Sequence, residues 1–359
     1  MLLSTRSRLV GEYFDPEHPS FHITHAWLGA SQLPRSLSES PYSQSYYVAS
    51  ILTEPANEKS TLRVLPDYSH WGEFVATHLS ILYGKHFVSL GPLESNGMFH
   101  VPERLELDPN SLHSLPPFNH EPRRCVPTPL NLGEVTRIRK ILNMSWVEND
   151  AERILFTAGR FYNRALTEID ESPELAYLDF ISCGEILSAA RPVDEDSLLD
   201  EKLKHILEEI KLKCTDGQKL ASEVRNRVYQ VRRRFAVALS VLLDDYFFAN
   251  SESDITWAVL TKETIETTLK AAYDLRSRYV HSGVQFGGFV RPLPPNASEK
   301  MIGEPILDDK ELANIIVKAP SLCGMERIMR YCLLKVSSEN GADLAGLCEP
   351  SSDQSSPKT

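Results

Sequence analysis

The chain has 359 residues, of which 42% are apolar and 24% charged, and this composition excludes a fully disordered or collagen-like protein. Acidic side chains outnumber basic ones by 49 to 38, giving a net charge of −11. That charge argues against a permanent, high-affinity coat for nucleic acid, although a local basic site remains compatible with it. Six scattered cysteines without a CxxC pair predict reduced thiols. An N-terminus that turns polar after Leu3, and the lack of a long apolar run, predict a cytoplasmic protein with no membrane span.

The N-terminal part of the sequence predicts a small α+β domain over residues 1–125. Segments rich in β-branched and aromatic residues at 21–27, 45–52 and 61–65 are candidate strands. Between Trp71 and Tyr83, apolar residues recur every three or four positions and Gly84 follows, so a helix is expected to end there. We expect this domain to sense or regulate and to take no part in catalysis.

A proline-rich stretch marks the predicted domain boundary. Residues 115–130 hold five prolines, which lack the backbone N–H and favour extended structure, so this stretch predicts a linker. Within this stretch we place the end of the first domain at residue 125. Residues 126–147 are then the linker and connecting segment.

The C-terminal part predicts an all-α bundle over residues 148–336. Periodic apolar positions predict helices at 148–169, 173–187, 198–213, 218–248, 261–281, 308–318 and 321–336. Residues 337–359 are rich in Ser, Gly and Pro, and predict a disordered tail. The expected fold class is therefore a small α+β domain followed by a helical bundle.

The helix at 261–281 carries the residues with the clearest chemistry. At 100° per residue, Arg276 falls within the apolar stripe, where a guanidinium must pair, reach a cleft or lie at a subunit interface. His281 follows five residues later, at the helix end. An imidazole can take a proton from a 2′-hydroxyl, and a guanidinium can stabilise charge on a phosphate. Because the two side chains point about 140° apart on a regular helix, either the helix distorts after Val280 or a second copy of the chain completes the site.

The segment from Arg276 to Gly283 has an R-x4-H signature near the end of a late helix, and residues 177–187 lie upstream of it. Together these segments resemble HEPN domains, most closely the Apea-like branch, over about residues 148–336. The resemblance implies a dimeric helical bundle that acts as a metal-independent endoribonuclease. It also implies a toxin-like effector of antiviral defence or abortive infection, controlled by a regulatory protein or a phage-derived trigger. Its implied partners are RNA and a second copy bound through the bundle.

Carried over by position, the resemblance assigns the two motif positions to Arg276 and His281. Ser277 takes the following, often polar slot, and Glu185 takes a recurrent acidic position on the second bundle helix. Two alternatives stay open. Arg276 and Glu185 could form a structural ion pair in a catalytically silent bundle that dimerises and scaffolds a protein or nucleotide partner. Arg278 could replace Arg276 in the site, or simply pair with Asp274, four residues before it.

A run of arginines on the preceding helix is the second basic feature. Arg227, Arg232, Arg233 and Arg234 are candidates, with Arg278, for gripping an RNA backbone, and the alternative is a solvated helix face. His18, His22 and His25 have a spacing that suggests zinc. A strand would place positions 22 and 25 on opposite faces, however, so we expect neither a metal site nor a cofactor.

Overall fold

In the computed structural model of the chain, an N-terminal antiparallel sheet precedes a mostly helical C-terminal part. The structure describes residues 1–17, 21–26, 45–51, 69–95, 97–100, 115–142, 150–194, 198–199, 201–227, 231–291 and 298–347, with the side chains of 225–227 excepted. Across these residues, no helix is long and apolar enough to cross a membrane. The predicted strand at 61–65 lies outside the described residues.

The sheet has five antiparallel strands in the order β2-β3-β4-β1-β5. Their bounds are β1 Leu2–Thr5, β2 Tyr13–Phe14, β3 His22–His25, β4 Ser45–Ser50 and β5 Phe87–Ser89. Strand β1 lies between β4 and β5, with Leu3 opposite both Tyr47 and Ser89, and all four of its residues are buried. The short strands β6 (Glu94–Ser95) and β7 (Met98–Phe99) form a separate hairpin.

Twelve helices are seen in the described part of the chain. They are α1 Ser69–Tyr83, α2 Arg139–Leu142, α3 Asp150–Glu168, α4 Pro173–Ala189, α5 Glu201–Lys213, α6 Gly217–Arg227, α7 Val231–Ser240, α8 Asp245–Ala249, α9 Ile265–Ser282, α10 Gly287–Val290, α11 Lys310–Lys318 and α12 Leu322–Glu339. The single helix predicted at 218–248 is broken between α7 and α8, and residues 228–230, between α6 and α7, lie outside the described residues. The side chain of Asp244 accepts a hydrogen bond from the backbone N–H of Phe247, and this N-cap starts α8 as a new helix.

One buried apolar cluster joins the sheet, α1 and the bundle helices, from Leu3 to Leu347. Helix α9 packs against α4, α7 and α11, and this position determines where its motif residues lie. Gly184 of α4 allows a close helix approach, because a Cβ there would lie 2.6 Å from Cε2 of Phe235 and 3.1 Å from Sδ of Met329. Helices α5 and α6 pack on each other around a second, small cluster of Leu199, Leu207 and Ala221.

The proline-rich stretch is well packed. Pro116–Phe118 form a 3-10 turn, and Arg123, Cys125 and Val126 are buried. The guanidinium of Arg123 contacts Glu252 at 2.6 Å and Glu326 at 2.6 Å, so the stretch is tied to the helical part. The division into domains at residues 125 and 148 stays a prediction.

The beginning of the predicted tail is ordered. Helix α12 continues to Glu339, and Leu344 and Leu347 are buried. The backbone N–H of Asp343 donates to the carbonyl of Arg137 at 2.7 Å. Residues 337–347 therefore contribute to the core, in contrast to the expected disorder, because both leucines are buried in the main apolar cluster and a backbone hydrogen bond attaches the segment to the 3-10 helix Leu132–Ile138.

Candidate active site on helix α9

Helix α9 remains a continuous α-helix from Ile265 to Ser282. It ends at Gly283, whose φ of 66° places it in the left-handed region favoured by glycine, and whose N–H donates to the carbonyl of Tyr279 at 2.9 Å. The helix therefore does not distort after Val280. Arg276 and His281 of one chain consequently point about 140° apart.

Arg276 is partly exposed and lies beside Glu185 of α4. Its Nη2 is 3.9 Å from Oε1 of Glu185, and the two side chains are 29% and 26% exposed. The hydroxyl of Tyr273 donates to the same carboxylate oxygen at 2.9 Å, and Cζ of Arg276 lies 5.5 Å from the Tyr273 ring centroid. Burial, together with the hydrogen bond to Glu185, raises the pKa of Tyr273. These three side chains form one group, in which the guanidinium is held while part of it stays open to solvent.

His281 is exposed in the last turn of α9. Val280 beside it is 49% exposed, so an apolar side chain accompanies the imidazole at the surface. Ser277 lies one turn before His281 on the same side of the helix, where it lines a polar groove between α9 and α11.

Arg278 is held by acidic side chains at the start of α11. It lies 2.6 Å from Asp309 and also pairs with Glu311. Asp274, the partner considered for it from sequence, instead lies 2.5 Å from Arg232 of α7. The hydrogen bond to Asp309 raises the pKa of Arg278, so this guanidinium is a permanent cation near His281.

The arginines of α7 have different surroundings. Arg232 is exposed and borders the α9 surface, whereas Arg234 donates to the carbonyls of Ser188, Ala189 and Arg191 and so stabilises the C-terminal end of α4. Arg233 is half-buried. Arg227 ends α6, and its side chain lies outside the described residues.

The histidines near the N-terminus have structural partners. The ring of His22 is within hydrogen-bond distance of Ser50 Oγ and stacks on Phe14, and the ring of His25 contacts Tyr47. His18 lies outside the described residues. In the described ranges, no group of three or more His, Cys, Asp or Glu side chains is arranged to hold a metal ion.

The structure thus places Arg276 beside Glu185, a contact that the sequence analysis raised as one alternative, and His281 lies apart from both. Sequence reasoning missed Tyr273, although it lies one turn before Arg276 and this spacing predicts a shared face. It also missed Lys270 and Lys318, which line the groove beside Ser277. Lys270 shares the α9 face of Ser277, whereas Lys318 is brought close only by the packing of α11 on α9.

No protein-family model, curated protein or solved structure matches this chain.

Proposed function

We propose that the chain is a metal-independent endoribonuclease of the HEPN type, whose site is completed by a second copy of the chain. The observation that supports this most is the geometry of α9. The helix is unbroken between a partly exposed guanidinium at Arg276 and an exposed imidazole at His281, and one copy cannot bring them together. A symmetric dimer can place His281 of one protomer opposite Arg276 of its partner.

The proposed chemistry uses groups of the protein, the substrate and solvent water. His281 takes the proton of an RNA 2′-hydroxyl, and the O2′–P bond forms while the P–O5′ bond breaks. The 5′-oxygen takes up a proton from water, leaving a 2′,3′-cyclic phosphate. Arg276, positioned by Glu185 and Tyr273, stabilises the charge that develops on the phosphate oxygens.

The experiment compares purified wild-type, His281→Ala and His205→Ala chains on total RNA and on a defined single-stranded RNA, in EDTA. General-base catalysis contributes about 10²–10⁴-fold in rate, so His281→Ala should lose that factor while keeping its circular dichroism spectrum. His205 is also an exposed helical histidine, on α5, and its variant should cut like the wild type. Cleavage that persists in His281→Ala, or that disappears with EDTA, refutes the mechanism.

Arg276→Lys provides a second probe, since it keeps the charge and loses the bidentate fork. We expect a lower cleavage rate with unchanged light-scattering mass, whereas the wild type should scatter as a dimer at micromolar concentration. A strictly monomeric, active wild type would exclude a composite site.

The contact of Arg276 with Glu185 and Tyr273 also favours a second candidate, a catalytically silent bundle that dimerises and scaffolds a partner. In that case the wild type cuts no RNA in the same assay, and Arg276→Ala weakens the dimer. The two functions are therefore separated by the wild-type chain alone.

A further inference from the structure

A polar groove runs along α9 on the side away from Arg276. It has a volume of 510 Å³, within the range of pockets that hold small ligands. Helix α9 forms its floor and α11 one wall, and Arg232 of α7 borders it. Its lining residues are Arg232, Thr267, Lys270, Ala271, Asp274, Ser277, Arg278, Glu311, Asn314, Ile315 and Lys318.

The groove is aligned with His281. With Ile265 set at 0° and 100° per residue, its α9 residues fall between about 120° and 240°, and His281 falls at about 160°. At 1.5 Å per residue, His281 lies about 6 Å beyond Ser277 along the helix axis and about 16 Å beyond Lys270. Arg276, at about 20°, faces the opposite side. The groove therefore leads to the imidazole, and not to the Arg276 of the same protomer.

The charge of the groove is opposite to that of the whole chain. Four of its lining side chains are basic and two are acidic, whereas the chain carries −11. Arg232 pairs with Asp274, and Lys270 pairs with Glu266. Arg278 pairs with Asp309 and Glu311. In each of these pairs at least one of the two side chains is 47% exposed or more. Ion pairs at the surface contribute little to stability, so a phosphate can replace the carboxylate at little cost.

Neutral hydrogen-bonding groups complete the lining. Thr267 and Ser277 provide hydroxyls and Asn314 provides an amide, and such groups contact phosphate and sugar oxygens alongside Lys and Arg in protein–nucleic acid interfaces. Lys318, exposed in the last turn of α11, lines the same groove as Lys270 of α9. Two lysines on the two helices that form the groove can contact successive phosphates of one strand.

We propose that this groove binds the sugar-phosphate backbone of single-stranded RNA and leads it to His281. The inference rests on the proposed ribonuclease function for its choice of ligand, and it assigns Lys270 and Lys318 as backbone contacts. Because the contacts are made to phosphate, binding depends on salt and little on base sequence.

The test measures binding of a fluorescein-labelled single-stranded RNA by anisotropy over a range of salt, in the His281→Ala background so that the RNA stays intact. The groove variant is Lys270→Gln/Lys318→Gln. Its matched control is Lys211→Gln/Lys213→Gln on α5, which also removes two helical lysines. We expect the groove variant to bind about tenfold more weakly and its salt slope to fall by about 1.4, at about 0.7 per single-strand contact. The control should bind within twofold of its parent.

Equal affinities of the groove variant and the control overturn the proposal. Complete displacement of the RNA by a free 5′-mononucleotide at a concentration near the RNA dissociation constant also overturns it, because the ligand is then a nucleotide. If the proposed nuclease function is wrong but the groove assignment is right, the wild type cuts no RNA and the groove variant still binds RNA more weakly than its control. If instead His281→Ala loses cleavage but the groove variant binds normally, the nuclease stands and the groove assignment falls.

Discussion

Replacing Arg123 by Met should cost several kcal/mol of stability, because this guanidinium is the shared partner of two buried carboxylates. Its side chain is 1% exposed, and those of Glu252 and Glu326 are 7% and 2% exposed. It donates two hydrogen bonds to Glu326, at 2.8 and 2.6 Å, and makes three contacts of 2.6–3.0 Å with Glu252. Burial alone would raise the pKa of Glu252, but the adjacent Arg123 lowers it to about 2.

The magnitude follows from what remains after the substitution. Glu326 keeps the Tyr162 hydroxyl at 2.6 Å and Glu252 keeps the Cys125 N–H at 3.2 Å, yet both lose the guanidinium that is hydrogen-bonded to them. Removing one partner of a buried pair costs about 3–5 kcal/mol, and the exposed pair of Arg124 with Asp254 is worth about 0–1 kcal/mol. Arg124→Met is therefore a control one residue away, with the same change of side chain.

The assay is urea unfolding at pH 7, comparing midpoints at a common slope. A triple variant that adds Glu252→Gln and Glu326→Gln should recover part of the loss, since it removes both orphaned charges. If Arg123→Met costs no more than Arg124→Met, the buried network does not stabilise the fold as its geometry requires.

Two further predictions concern the stability of the buried core. Burial lowers the pKa of His78 from 6.5 to about 4, so below about pH 6.5 the folded protein binds fewer protons at this residue than the unfolded chain does. The free energy of unfolding therefore falls by about 2 kcal/mol between pH 7 and pH 5 because of His78. His78→Leu should remove that part of the fall in urea titrations at the two pH values, and an unchanged fall would contradict the assignment. Gly184→Ala should cost about 1–3 kcal/mol by crowding Phe235, whereas Gly288→Ala, with open space around its added Cβ, should change thermal stability little; equal effects would contradict the packing argument.

Much of the fold could be predicted from periodicity. Helix α3, at Asp150–Glu168, and helix α9, at Ile265–Ser282, lie within a few residues of their predicted bounds, because each has one buried stripe. Strand β1 was missed because all four of its residues are buried and it lies between β4 and β5. A strand in such a position has no alternation of apolar and polar residues. The break before α8 was missed because the Asp244 cap interrupts a continuous apolar pattern.

The candidate site, too, could be predicted from the sequence only in part. The signature on α9 indicated Arg276 and His281 as candidate catalytic residues, and this assignment stays a prediction. Helix geometry predicted that a regular α9 separates the two side chains, and the helix is indeed unbroken from Ile265 to Ser282. The groove could not be predicted, since Lys318 approaches Lys270 only through the packing of α11 on α9. Pairing was equally hidden: Asp274, four residues before Arg278, is bound by Arg232 of another helix.

The contacts that close the core join distant parts of the sequence, and this has a consequence for folding kinetics. Arg330 donates to the carbonyl of Ile81 across 249 residues, and Arg137 to that of Ala345 across 208. Contacts of such high sequence separation slow folding, because the loop-closure entropy is lost before the contacts form. During synthesis, helix α1 and the 3-10 helix at Leu132–Ile138 are made long before α12 and residues 337–347 that cover them. Strand β5 and helix α3 can cover most of α1 earlier, but the part of α1 that packs on α12 stays uncovered until nearly the whole described chain has been made. Apolar surface exposed over that interval favours aggregation.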